Sequence, residues 1–311
     1  MNLEKRSFGV VFVESELSNY NGDPDADNLL RTLIDGHGLI TPVCFKHKIR
    51  ALLEDHDSPV WEYLKSKLDL DDDAYHIWES ALKGYDAKTP MEAKEKFWYK
   101  MFKKEGGEYL VNRFWDMRVF GTTALETKGK DSLNFTKTGC VSVSPLISLA
   151  FIELISQTIT KGNPLRPELM KKDQGDIAPF GFKVARHAVF AGSYVVNPAY
   201  ARATNTTEKD IDVFKALIPY AVSNSTSACR SSMNVVQAIH VTHDNPLGSF
   251  NESEFCGFCQ PDIDESVKKN GSTSLSQYRF KTQAEIEARF PNMKIEMIVD
   301  GPSNFEVSKI A

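Results

Sequence analysis

Cysteine is scarce in this sequence, with five in 311 residues. The number is odd and the spacing irregular: Cys44, Cys140 and Cys229 stand apart, and only Cys256 and Cys259 are close. That pattern excludes a disulfide framework and points to reduced thiols in the cytoplasm. Long apolar runs are missing as well. No stretch approaches the roughly 18 residues a membrane span needs, and Glu4, Lys5 and Arg6 stand where a secretory signal would be apolar. No membrane contact is expected. Basic residues are not in excess either: 37 Lys and Arg face 42 Asp and Glu, a net charge of −5. This counts against a generic nucleic-acid binder, whose domain is usually basic. The acidity is concentrated, however, in residues 69–73 and 252–265. Net charge governs solubility and non-specific binding, so a groove elsewhere can still be cationic. Gly-x-Ser-x-Gly, Gly-x-x-x-x-Gly-Lys and Gly-x-Gly-x-x-Gly are all absent, which leaves nucleophilic hydrolysis and nucleotide binding without a motif. No internal repeat or low-complexity tract appears.

What is present is a chain of ordinary composition, long enough to bury a sizeable core. Its most informative stretch runs from Leu17 to Leu53. Asn21-Gly22-Asp23-Pro24 is a strong turn signal inside a polar loop, residues 19–38. Thr41 then suits an N-cap and Pro42 the first helical position, where its missing N–H costs nothing. Phe45, Ile49, Leu52 and Leu53 recur at helical spacing and predict one buried face. Lys46 and Arg50 are i,i+4 neighbours beside that face and are expected to point outward together.

The rest of the chain alternates strand and helix signals. Residues 7–14 predict a strand covered on both faces, with Phe8, Val10 and Phe12 on one side and Val11 and Val13 on the other. Residues of about 57–112 read as a mainly helical insertion, with Ser58-Pro59 and Thr89-Pro90 as starts. Its Lys- and aromatic-rich piece, Lys94 to Lys104, reads as an amphipathic helix with a solvated face, or else as an RNA-facing surface. Residues 115–123 predict a short strand leading into a glycine turn, with residues 139–144 as its return. The polar segment between them is a plain loop or a hairpin that gains order on binding. The apolar run 146–159 predicts a buried helix. Strands are expected within 182–196, 235–241 and 294–299, and helices after Thr207 and Thr282, which open capping-box patterns with Asp210 and Glu285. The fold class is therefore α+β, with helices packed on a mainly antiparallel sheet.

Asn21-Gly22-Asp23-Pro24-Asp25-Ala26-Asp27-Asn28, then Arg31, Gly38-Leu39-Ile40-Thr41 and Lys46-His47-Lys48-Ile49-Arg50, resemble the N-terminal signature of the backbone subunit of CRISPR Cascade complexes. The type I-C branch is nearest and type I-B next. The likeness continues in Trp115–Gly121, Thr138–Val141, Val196–Ala199 and Ser227–Ser231, so it spans roughly residues 8–245 in patches. Residues 144–159 and 229–232 depart from the pattern. The resemblance implies a single domain over 1–311 with an RRM-like (ferredoxin-like) core, the helical insertion, and a projecting hairpin "thumb" at about 123–138 carrying Lys128, Lys130 and Lys137. It also implies a protein that binds CRISPR RNA without cutting it. Lys46 and Arg50 would hold guide phosphates, Asn21, Asn28 and Arg31 would shape the adjoining loop, and Lys48, Arg118 and Arg230 lie in matched motifs. The implied partners are the CRISPR RNA, target DNA through the guide, further copies in a helical filament, and other Cascade subunits. For Arg118 the competing reading is a structural ion pair, and Trp115 reads as core.

Two further constellations carry other chemistries. Asp23, Asp25 and Asp27 open like a calcium loop but lack its Gly and closing Glu. Clustered carboxylates of this kind suit a metal-dependent ribonuclease, as in related type III backbone subunits. Pro24 and the flanking Asn residues favour a self-bonded loop instead. His240-x-x-His243 followed by Cys256-x-x-Cys259 has zinc-ligand residue types. A strand would aim the two histidines at opposite faces, so the plainer reading is a sheet histidine and two loop thiols. No catalytic residue, metal or cofactor is expected.

Overall fold

The computed structural model describes residues 3–80, 107–126, 133–160 and 179–302. In chain order the strands are β1 (Ser7–Ser18), β2 (Gly22–Asp23), β3 (Leu29–Leu30), β4 (His37–Ile40), β5 (Gly121–Glu126), β6 (Leu133–Thr138), β7 (Val141–Val143), β8 (Leu146–Phe151), β9 (Leu154–Thr160), β10 (Pro179–Val196), β11 (Met233–Thr242) and β12 (Lys294–Val299). The helices are α1 (Pro42–Ala51), α2 (Pro59–Leu68), α3 (Trp115–Phe120), α4 (Ala201–Thr204), α5 (Glu208–Leu217), α6 (Glu252–Phe258), α7 (Glu265–Asn270) and α8 (Gln283–Arg289). Residues 107–113 are also helical.

β1 organises the molecule. It pairs antiparallel with β10 from Ser7↔Val196 to Ser18↔Ala185 and, on its other edge, with β11. The eight-stranded sheet runs β12-β11-β1-β10-β8-β4, and β7 and β9 also pair with β10. Both faces of β1 are apolar, as its alternation predicts. Val11 and Val13 face a core built with α1, α2, α3 and α5, which contribute Phe45, Trp61, Trp115 and Phe214. Phe8, Val10 and Phe12 face a second core closed by Phe255 of α6 and by Ile286 and Phe290 at α8. The fold is thus α+β, a large antiparallel sheet with helices on both faces.

Local chemistry sets the helix ends. Thr41 Oγ1 accepts from the Cys44 N–H at 3.2 Å with Pro42 in the first turn. Thr207 with Asp210 and Thr282 with Glu285 form full capping boxes.

Two expectations are corrected. Residues 146–159 are not a helix but β8 and most of β9. Exposure along β8 alternates, with Leu146, Ser148 and Ala150 buried and Ile147 and Phe151 exposed. An unbroken apolar run does not separate a strand from a buried helix, and here long-range pairing with β10 decides. Residues 115–120 are a helix rather than a strand, and the hairpin begins one residue later. Its return is β6 instead of residues 139–144. Within the proposed 57–112 insertion, α2 and residues 107–113 are helical, while Lys94 to Lys104 lie outside the described residues.

Candidate nucleic-acid interface

Helix α1 carries three cations, and its geometry separates them. At 100° per residue, Lys46 and Arg50 lie on one flank of the Phe45–Ile49 stripe and Lys48 on the other. On the first flank, Lys46 Nζ is 5.1 Å and Arg50 Cζ 5.0 Å from the centroid of the Phe120 ring. Phe120 closes α3 at the foot of the β5–β6 hairpin, so both cations stand where the hairpin leaves the body. The two are not equivalent. Arg50 is buried and ion-paired, its Nε 3.1 Å from Asp116 Oδ2 and its Nη1 3.2 Å from Glu79 Oε1. Asp116 is itself buried. Burial pushes its carboxyl up, against the Trp78 N–H and Arg50, which favour the charged form. Lys46 is half-buried and, among the described residues, has no carboxylate partner. Burial, and then Arg50, hold its ammonium below the usual lysine range. The expectation that Lys46 and Arg50 point outward together is therefore corrected: Arg50 is captured by Asp116, 66 positions later in the chain, and of the two only Lys46 is without a carboxylate among the described residues.

On the opposite flank Lys48 is 3% exposed, and among the described residues its Nζ has no hydrogen-bond partner. Burial, with Arg230 adding to it, brings its pKa down to about 8. The Arg230 Nε–H donates to Asn19 O at 2.9 Å.

The loop before α1 is tied to its N-terminus. Asn21 Oδ1 accepts the Thr41 N–H at 2.9 Å. Arg31 Nη2 donates to Asp23 Oδ1 at 3.0 Å, and the Asn28 N–H to Asp23 O at 2.8 Å. Asp27 (φ 52°) and Asn28 (φ 55°) take the left-handed conformation that Asx side chains tolerate. Lys183 Nζ reaches Asp27 Oδ2 at 3.1 Å, and Asn19 Nδ2 donates to Asn28 O and Lys183 O. Two of the three carboxylates are thus engaged separately, Asp23 with Arg31 and Asp27 with Lys183, and Asp25 is exposed. Among the described residues no three His, Cys, Asp or Glu side chains are grouped to hold a metal ion.

The Arg118 assignment is corrected. Its Nε and Nη2 donate to Asp210 Oδ1 at 3.2 and 2.9 Å, and the remaining N–H groups reach the carbonyls of Val111, Asn112 and Ala74. Both partners are buried, and Trp115 beside them is fully buried. Arg118 is a structural ion pair. Of the hairpin lysines, Lys137 lies on β6, half-exposed, with Nζ 5.9 Å from the Phe135 centroid. Lys128 and Lys130 lie outside the described residues.

The His/Cys set is dispersed. His240 is buried against Tyr194, with Nδ1 2.9 Å from the Tyr194 hydroxyl, and burial drives its pKa down to about 3. His243 pairs with Glu252 at 3.0 Å. Burial pushes the Cys256 and Cys259 thiols up to about 11 and 12. Sequence reasoning missed Phe120, Asn19 and Lys183. Phe120 sat in a quoted motif, but nothing local marks it as the ring between two cations.

A family model described as CRISPR-associated protein Cas7 matches residues 5–283. No curated protein matches the chain significantly. Among solved structures the chain is similar to a chain of a CRISPR RNA-guided surveillance complex, at 11% identity and a TM-score of 0.46, covering 98% of this chain and 92% of that one. It is also similar to a chain of such a complex described as pre-nicking, at 10% identity and a TM-score of 0.49, covering 98% and 95%.

Proposed function

This chain belongs to the CRISPR-associated protein Cas7 family, and we propose that it is a non-catalytic backbone subunit of a type I Cascade complex, of the I-C or I-B branch. In this reading it binds CRISPR RNA in the cytoplasm, repeats along the guide with further copies of itself and other Cascade subunits, and presents the guide to target DNA. The observation that carries the reading is Lys46: an ammonium without a carboxylate partner among the described residues, set over the Phe120 ring at the foot of a hairpin. Such a cation suits an RNA phosphate, and phosphate contacts fix position without reading sequence. That is what a protein accepting any guide requires.

The β5–β6 hairpin is read as the thumb, with Lys137 on its return strand. The order β11-β1-β10-β8, with helical connections after β1 and after β10, supports the RRM-like description and one domain over 1–311. A repeating interface along RNA is heterologous, so its growth is set by the guide length and capping subunits. Asp23, Asp25 and Asp27 are read as loop structure rather than a ribonuclease centre, since two of them already neutralise Arg31 and Lys183.

Lys46→Glu in the full chain tests the proposal. It should lose CRISPR RNA on purification while melting as the wild type does. Undiminished RNA retention would refute the assignment of Lys46.

A further inference from the structure

Three flat rings from different parts of the chain are stacked beside α2. The His56 imidazole, in the turn before α2, lies on the Trp61 indole with centroids 3.8 Å apart and planes at 9°. The His76 imidazole lies on His56 in turn, at 4.4 Å and 10°. His56 Nε2 is 3.4 Å from the Tyr75 carbonyl. The main chain of His76 is fastened on both sides: its N–H donates to Arg113 O at 3.2 Å, and its carbonyl accepts the Trp115 N–H at 2.9 Å. Trp61 is buried and both imidazoles are half-buried. Two stacked imidazoles can be neutral together, but two charges this close repel each other. Asp57, Asp72 and Asp73 face the rings and favour their protonation, while Arg113 opposes it. Asp72 is already held by Trp61 Nε1 and Lys65, and Asp73 by Arg113. Burial outweighs the acids at both rings. It lowers the His56 pKa and, with Arg113 and His56 adding to it, brings that of His76 down to about 4. The stabilisation is therefore whole above the ordinary histidine value of 6.5 and is lost as pH falls toward 4.

The segment held by the stack leads into the interface. The Trp78 N–H donates to Asp116 Oδ1 at 2.8 Å and the Glu79 N–H to Asp116 Oδ2 at 3.4 Å. Asp116 and Glu79 in turn grip Arg50, which shares the Phe120 ring with Lys46. We infer that the Trp61–His56–His76 stack is a proton-operated latch on residues 75–79. It is closed while both imidazoles are neutral. When both are protonated it opens, and the N–H groups that frame Asp116, and through it Arg50, are withdrawn. The bearing of the latch on RNA rests on the reading of Lys46 above, whereas the latch itself does not.

Amide hydrogen exchange on the full chain tests it. Between pH 7 and pH 5, after correction for intrinsic exchange, protection of the Trp78, Glu79 and Trp115 N–H groups should fall by about tenfold or more, since a proton taken up only by the open form is worth up to tenfold per pH unit. His76→Phe keeps a ring in the stack and takes no proton. It should melt as the wild type does at pH 7, which shows that it folds, and should keep its protection at pH 5. His240→Gln should leave the wild-type response in place, which separates the latch from the pH dependence of the whole fold. No fall in the wild type, or the same fall in His76→Phe, overturns the latch. A second arm follows bound CRISPR RNA: the wild type should lose it between pH 7 and pH 5, and His76→Phe should retain it. Equal retention by both proteins alongside the exchange response overturns the link to the interface. Lys46→Glu should lose RNA at either pH yet keep the exchange response, so the latch and the reading of Lys46 fail separately.

Discussion

The Lys46 ammonium and the Phe120 ring meet at 5.1 Å, one from the end of the first sheet-to-helix passage and the other from the residue before the hairpin. The contact joins two parts of the chain that are 74 positions apart, and it fixes where an available positive charge stands relative to the hairpin. Cation–π contacts at half-exposed sites contribute about 0.5–1 kcal/mol. The pair therefore positions a side chain more than it stabilises the fold.

Lys46→Ala should weaken RNA binding to a similar extent for all guide sequences. It should also flatten the dependence of log K on log salt by about 0.7, the value for one phosphate on a single strand. Fluorescence anisotropy over a salt series measures both. A change confined to particular guide sequences would contradict a phosphate contact.

Arg50→Ala should behave differently although Arg50 shares the ring with Lys46. It leaves Asp116, 3% exposed, without its guanidinium. Losing one member of a buried pair costs about 3–5 kcal/mol. Urea denaturation should show this loss, and the Lys46→Ala midpoint should stay near the wild type. Joint charge reversal of Lys46 and Arg50 would confound unfolding with lost RNA binding.

Arg118→Ala should unfold the protein at lower denaturant by a similar amount, since Asp210 would be stranded in the interior. Whatever fraction remains folded should bind RNA with wild-type affinity. A folded variant with weakened RNA binding would return Arg118 to the interface.

His240 supplies a pH dependence. Its pKa is depressed to about 3 in the fold from an ordinary 6.5, so below pH 6.5 the unfolded chain takes up a proton that the folded chain refuses. Stability is therefore lost as pH falls from about 6.5 toward 3, by roughly 1.4 kcal/mol per pH unit. His240→Gln should flatten that slope in denaturation series between pH 7 and 5. An unchanged slope would assign it to other groups.

Much of this architecture was legible in the residues. The two-faced alternation of β1, the Thr41-Pro42 start, the α1 stripe and the capping boxes are local patterns, and local patterns act within a few residues. What escaped depends on distant partners. Leu146 to Ile159 reads as a strand only once β10 is beside it. Arg50 looks like a free cation until Asp116 arrives from 66 positions away, and the ion pair weighed for Arg118 had no named partner until Asp210 arrived from 92. Spacing gave the flank on which each α1 cation lies but not whether a carboxylate waits there. The Asp23–Asp27 loop was read as self-bonded from its Pro and Asn content. Lys183, which neutralises Asp27, came from β10 with no local sign.

At the root of the hairpin, Gly121 adopts φ 78° and Gly139 lies against it so closely that a Cβ on either would collide with backbone of the other. Side chains are shut out of that crossing, and the two strands leave it in a direction set by main chain alone. A single methyl group on either glycine would push that crossing apart and re-aim the arm where it leaves the body.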